Sequence, residues 1–209
     1  MSIEQKYVFD TYNIIAKHFD KTRVNIWSNV QEFIDNIDSN SFVADIGCGN
    51  GKNMSRNDCY YIGIDFCRQF CELAYKRSLS IDTATSNCLT IPLTSNMFDY
   101  TLSIAVIHHF HLLDDRIKAV EELIRITKSG GKIIIQVWGF DNKKYDNQDA
   151  MIPWKLQKKY NNDDKDKTIL RYYHLFIEGE LEQIIPKDSV KIIKCYNSYN
   201  NWIIELQKN

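Results

Sequence analysis

Eight residues constrain this chain more than any others. In Asp45-Ile46-Gly47-Cys48-Gly49-Asn50-Gly51-Lys52 a short apolar run from Phe42 flows straight into a bend holding three of the chain's eight glycines. Without a Cβ, glycine lets the backbone turn sharply and lets a ligand come close to the main chain. An apolar run of this length, ended by such a bend, reads as a buried strand turning into a helix, with a pocket at the strand's carboxyl edge. The spacing is G-x-G-x-G, not the G-x-G-x-x-G of pyrophosphate-binding dinucleotide folds, and an acidic residue stands two positions ahead.

The rest of the chain supplies the setting for that strand. Tyr7, Val8, Tyr12, Ile15 and Phe19 recur near helical spacing, as do Trp27, Val30, Phe33, Ile34 and Ile37, so two helices precede the bend. Strands are expected at Tyr60 to Ile64, Ile81 to Ser86 and Phe98 to Ile104, with a helix over Cys67 to Arg77. A second helix over Asp114 to Thr127 is stopped by Ser129-Gly130-Gly131 before a strand from Lys132 to Trp138. Five strand-to-helix steps specify a parallel sheet covered on both faces. Phe140 to Lys167 is polar and without a sustained period, which reads as a long mobile loop. Glu178 to Ile185 reads as a helix stopped by Pro186, and Val190 to Cys195 with Trp202 to Leu206 as a terminal antiparallel pair. One domain spans 1–209: helices to 40, a ligand-binding core over 41–138, and an acceptor-side region over 139–209.

Net charge is −1, so no global field draws the chain onto a polyanion, and any nucleic-acid contact must come from a local patch such as Lys155, Lys158, Lys159, Lys165, Lys167 and Arg171. The six cysteines form no zinc-type spacing, so no metal is expected in this chain. No secretory signal and no membrane-length apolar run is visible, which predicts a reducing interior and no membrane partner.

The bend after Asp45 resembles motif I of the class I S-adenosylmethionine-dependent methyltransferases. That resemblance implies a Rossmann-like doubly wound α/β fold whose mostly parallel seven-stranded sheet carries a terminal antiparallel strand. It also makes S-adenosyl-L-methionine the cofactor, held by Asp45, Gly47, Cys48, Gly49 and Gly51. Asp65, ending the second strand, offers a carboxylate to both ribose hydroxyls, and Phe66 can lie against the adenine. The resemblance further implies an adenine-edge contact from Asn87 and Cys88, where many relatives carry Asp in place of Asn87, and places Ile104 beside the methionine portion.

A narrower likeness covers nearly the whole chain. Tyr12 to Phe19 with Thr22-Arg23 and Trp27, Ser103 to His109, Ile152-Pro153-Trp154, Arg171-Tyr172-Tyr173-His174-Leu175-Phe176, Glu178 to Leu181 and Asn201-Trp202 resemble the tRNA wobble-uridine carboxymethyl methyltransferases. The resemblance implies esterification of 5-carboxymethyluridine in the tRNA anticodon loop, and a small zinc-binding activator protein as heterodimer partner. The expected compartment is the cytoplasm, with the nucleus as a second location. A carboxylate acceptor is already an anion at neutral pH, so orientation is required and a strong base is not.

Arg171 is expected to grip the acceptor through its planar fork, and His174, three residues on, to donate to the same anion or to a phosphate. His108 is favoured over His109 to face the transfer site. Arg23 and Tyr12 are placed by the resemblance near the methionine carboxylate or the acceptor. Trp138 is expected to wall the uracil pocket, with Lys158 and Lys159 on RNA. A small-molecule O-methyltransferase acting on a metabolite carboxylate or phenol, and a non-catalytic scaffold, are the competing readings.

Overall fold

The structure, a computed structural model, describes residues 1–160 and 165–209. Seven strands form one sheet: β1 (Phe42–Ile46), β2 (Tyr60–Asp65), β3 (Ile81–Thr85), β4 (Phe98–Ile104), β5 (Thr127–Trp138), β8 (Val190–Ser198) and β9 (Asn201–Lys208). Their order is β3-β2-β1-β4-β5-β9-β8, with β9 antiparallel to both its neighbours and the first five strands parallel. The order reverses between β1 and β4, and at that reversal the connections leave on opposite faces and open a crevice.

Strand side chains alternate between two apolar layers, as a pleated sheet requires. Ile133, Ile135 and Val137 of β5 join Ala44, Ile46, Ile204 and Leu206 on one face, under α4 (Leu113–Ile126). Ile134 joins Val43, Leu102 and Ile203 on the other, beneath α2 (Ser28–Asp35) and Ala74 of α3 (Arg68–Tyr75). Above the carboxyl ends of the strands lies α1 (Asp10–Thr22), led in by a π-helical turn at Gln5–Phe9. It packs Tyr12, Ile15 and Ala16 against Phe70, Trp154 and Tyr172.

Three sequence expectations need correction. The stretch 140–167 is no mobile loop: β6 (Asp149–Leu156) pairs with β7 (Lys167–His174) as an antiparallel ribbon, with a 3₁₀ turn at Lys158–Tyr160, while 161–164 lie outside the described residues. Ile152, Trp154 and Leu156 face the core at period two, with Lys155 on the solvent side; Pro153, a residue disfavoured inside strands, obscures the pattern in the sequence. The helix expected over Glu178 to Ile185 shrinks to one turn, α5 (Glu180–Gln183), after Gly179 at φ 77°. Finally, Ser129-Gly130-Gly131 does not stop α4. Thr127 does, its backbone extended and its hydroxyl donating to the Leu123 carbonyl at 2.7 Å, and the glycines form an irregularity inside β5.

Candidate active site

The crevice is floored by the β1 bend and the segment after β4. Gly47 has φ +78°, and a Cβ there would lie 2.2 Å from Cγ2 of Val106, so only glycine lets these two connections touch. Gly49 donates its N–H to Oδ2 of Asp65 at 2.9 Å, and the Cys67 N–H donates to Oδ1 at 2.9 Å. Each carboxylate oxygen therefore keeps acceptor capacity. Burial pushes the Asp65 carboxyl up to about 6, against the pull of those two N–H donors. Beside it Phe66 packs on Phe9 with ring centroids 4.3 Å apart, and Val8, Phe9, Phe66 and Phe70 make one apolar wall. Asn87 is oriented by accepting the Leu89 N–H on Oδ1 at 2.9 Å, and Cys88 and Ile104 complete this half.

The other half is polar and aromatic. His109 Nδ1 lies 2.9 Å from the Tyr172 carbonyl, so it carries the proton there, and Nε2 accepts from the Tyr12 hydroxyl at 2.9 Å. Tyr12 and Tyr173 share a hydrogen bond of 3.2 Å, and Arg171 donates to the Tyr173 hydroxyl at 2.7 Å and to that of Tyr12 at 3.4 Å. The line is directed: guanidinium to Tyr173, Tyr173 to Tyr12, Tyr12 to imidazole. Burial pushes His109 down to about 3, so the ring is neutral across the physiological range.

Arg171 is 5% exposed and lies 4.9 Å from the Trp154 ring and 5.1 Å from that of Tyr173. Among the described residues no carboxylate pairs with it, and its Nε has no hydrogen-bond partner. A buried cation left without its counter-ion is costly unless a ligand provides one. Arg23, exposed at the rim, lies 4.9 Å from the same Trp154 ring, and Trp138 walls the crevice against Tyr173 at 4.7 Å.

The structure therefore gathers Arg171, Arg23, Tyr12, His109, Trp138, Gly47, Cys48, Gly49, Asp65, Phe66, Asn87, Cys88 and Ile104 around one cleft. Other expected residues lie elsewhere. His108, favoured to face the site, is fully buried behind it: its Nδ1 accepts the Trp138 N–H at 3.1 Å and its ring stacks on Tyr173. The 3₁₀ turn Ile107–His109 sends adjacent imidazoles in different directions, and the second one points inward.

His174 cannot join Arg171, because residues three apart on a strand face opposite ways. It is clasped instead by Asp149 at 2.9 Å and Glu180 at 2.5 Å. Asp45 is wholly buried under the bend, its carboxyl pushed up to about 7 by burial, and Gly51 is needed for packing, since a Cβ there would lie 2.8 Å from Cβ of Ala74. Lys158 and Lys159 are exposed, outside the cleft lining, on the turn whose Tyr160 stacks on His18. Tyr173 escaped the sequence reading, although a strand over 167–174 would have put it beside Arg171 at i+2. Lys52, its Nζ 4.3 Å from the Trp27 ring, was also missed.

A doubly wound sheet in this order, with a glycine bend meeting a buried aspartate at the reversal of strand order, defines a class I methyltransferase. Residues 44–135 match the methyltransferase domain family. A chain from the complex between the Haloferax volcanii Trm112 methyltransferase activator and a methyltransferase shares the fold, with TM-score 0.66 and 12% identity over 97% of this chain and 98% of that one. The sequence is 34% identical to the tRNA (carboxymethyluridine(34)-5-O)-methyltransferase of Schizosaccharomyces pombe over 99% of this chain and 98% of the relative. It is 29% identical to the Xenopus tropicalis tRNA (carboxymethyluridine(34)-5-O)-methyltransferase alkbh8 over 99% of this chain, which spans only 41% of that longer protein. The chain belongs to the tRNA (carboxymethyluridine) methyltransferase family.

The cleft fits S-adenosylmethionine on its own geometry. The two remaining acceptor positions of Asp65 suit a vicinal diol, and the slab of Val8, Phe9 and Phe66 suits a purine face.

Proposed function

We propose that the chain esterifies the carboxylate of 5-carboxymethyluridine at the wobble position of tRNA, with Arg171 holding the acceptor. The observation that carries this reading is the buried guanidinium with no acidic partner among the described residues, set at the aromatic end of a cleft whose other end suits the cofactor. S-adenosylmethionine, when bound, supplies an electrophilic methyl group.

The chain's own residues bind and orient. Asp65 and Phe66 hold the nucleoside part of the cofactor. Arg171 takes the acceptor carboxylate in charge-assisted hydrogen bonds, and Tyr173 and Tyr12 fix the guanidinium from behind. His109, neutral and already accepting from Tyr12, removes no proton, and none needs removing because the acceptor is an anion. Trp138, half-buried in the cleft wall and backed by Tyr173, offers the uracil an aromatic surface and helps exclude water from the charged pair.

Binding of tRNA to a chain of net charge −1 is supported by cations at the cleft rim, Arg23 and Lys52, with Lys158 and Lys159 further out. The zinc-binding activator as heterodimer partner is supported by the exposed apolar Tyr75 and Leu79 beside edge strand β3, and by the Haloferax complex of the same fold. The six free cysteines suit a reducing compartment, the cytoplasm or nucleus. The test is transfer of labelled methyl to tRNA lacking the wobble ester, with activator, followed by nucleoside mass spectrometry. The methyl ester of 5-carboxymethyluridine is the expected product; label confined to small metabolites would overturn the reading.

A further inference from the structure

A second depression adjoins the cleft, and Trp27 and Trp138 wall both. Its outer rim is the two-residue turn Tyr199-Asn200 between β8 and β9, and its opposite side carries Lys144 and Tyr145. Both turn residues are left-handed, at φ 48° and 58°. A two-residue hairpin favours that geometry, with Asn, Asp or Gly as its usual occupants, whereas a bulky aromatic at positive φ is a steric outlier. Strain of this kind persists only where the surrounding structure enforces it, and it clusters at functional sites. Tyr199 is nonetheless 89% exposed and, among the described residues, packs on no other aromatic ring that would repay it.

The tip is also held firmly. The Gly139 N–H donates to the Asn200 carbonyl at 2.8 Å, Asn200 Nδ2 donates to the Gly139 carbonyl at 2.9 Å, and Asn201 Nδ2 donates to the Tyr199 carbonyl at 3.0 Å. Tyr199 is thereby anchored to the residue directly after Trp138, the wall of the acceptor site.

We propose that this depression is a nucleotide subsite, in which the base next to the methylated uridine stacks on Tyr199 and its phosphate meets Lys144. The inference rests on the tRNA reading and adds where the RNA strand runs. A uridine drawn into the cleft leaves its neighbour with one unstacked face, and an aromatic platform at the cleft mouth restores that stacking. Lys144 is well exposed and only loosely paired with Asp141 at 3.6 Å, so it is available to a phosphate.

The test uses the full chain with its activator and an anticodon stem-loop bearing 5-carboxymethyluridine. Tyr199→Ala should raise the KM for the stem-loop about tenfold, within the range of base–aromatic stacking, with a far smaller change in kcat and in cofactor affinity. Tyr199→Phe should restore the wild-type KM. Tyr199→Gly separates function from structure: it relieves the positive φ, so the melting temperature should hold or rise while the KM rises as in the alanine variant. Unchanged stem-loop KM in the alanine and glycine variants would overturn the subsite, as would a KM rise traced to loss of the co-purifying activator. Direct stem-loop binding, read by fluorescence anisotropy, keeps the two readings apart. Wild-type binding without methylation would count against the assigned reaction alone, and Tyr199→Ala binding equal to wild type would count against the subsite alone.

Discussion

Replacing Arg171 with methionine should cost activity and spare the fold. Methionine keeps the length of the apolar stem against Trp154 and removes a cation that is 5% exposed and has no carboxylate partner among the described residues. Burying an ion costs several kcal/mol, of which cation–π contact with Trp154 and Tyr173 returns ~2 kcal/mol and the hydrogen bond to the Tyr173 hydroxyl about 1.5–3 kcal/mol. The two sides nearly cancel, so the free protein's stability should change by no more than about 1 kcal/mol on substitution. The reaction loses two hydrogen bonds to a charged acceptor, each worth about 1.5–3 kcal/mol. At 1.36 kcal/mol per tenfold, kcat/KM should drop by roughly 10²–10⁴. The assay pairs initial rates on the carboxymethyluridine stem-loop with calorimetric melting and cofactor titration. A melting temperature lowered by several degrees with the rate surviving, or cofactor affinity lost in step with the rate, would refute this placement of Arg171.

Three further outcomes follow from the geometry. Gly47→Ala puts a Cβ 2.2 Å from Val106 at φ +78°, so the rise in melting temperature on adding S-adenosylmethionine should vanish; a surviving rise would mean that the bend is not its cradle. Asp65 is raised by burial from 3.8 to about 6, so it takes up a proton on folding, and its cost to the free protein, full above that range, lifts as pH falls from 6 towards 4. Ligand hydroxyls donating to this carboxylate pull its pKa back down, so cofactor binding near pH 6 should release a proton and tighten with rising pH; buffers of differing ionisation enthalpy measure the proton, and Asp65→Asn should abolish its release. Because His174 bridges Asp149 and Glu180, His174→Ala should destabilise by about 1–3 kcal/mol in chemical denaturation while cofactor affinity holds, since mostly buried Glu180 loses a hydrogen-bond partner and half-exposed Asp149 regains water; a loss of activity at unchanged stability would contradict this.

Local chemistry made half of the site legible without coordinates. The glycine bend, the aspartate at the end of the second strand and the apolar runs are each contiguous, and their periods and backbone demands are written into neighbouring residues. The sheet, its reversal and the cofactor half of the cleft follow from them. Arg171 could be singled out by its chemistry, and the antiparallel pair at the end by its alternation.

Other features depended on contacts across long stretches of chain. Whether His108 or His109 faced the cleft hinged on a short 3₁₀ turn, and the histidine pair reads the same either way. His174 lay beyond Arg171's reach because the segment is a strand, paired with a partner some twenty residues earlier whose own strand character was obscured by Pro153. Asp45 reads as a ligand-facing carboxylate and is in fact sealed under the bend that it precedes. Periodicity is a property of neighbouring residues and survives in a linear text. Which face of a ribbon meets a pocket depends on pairing register and on what packs above it, and those are settled only when residues 97 to 161 positions apart, such as Tyr12 with His109 and Tyr173, come into contact.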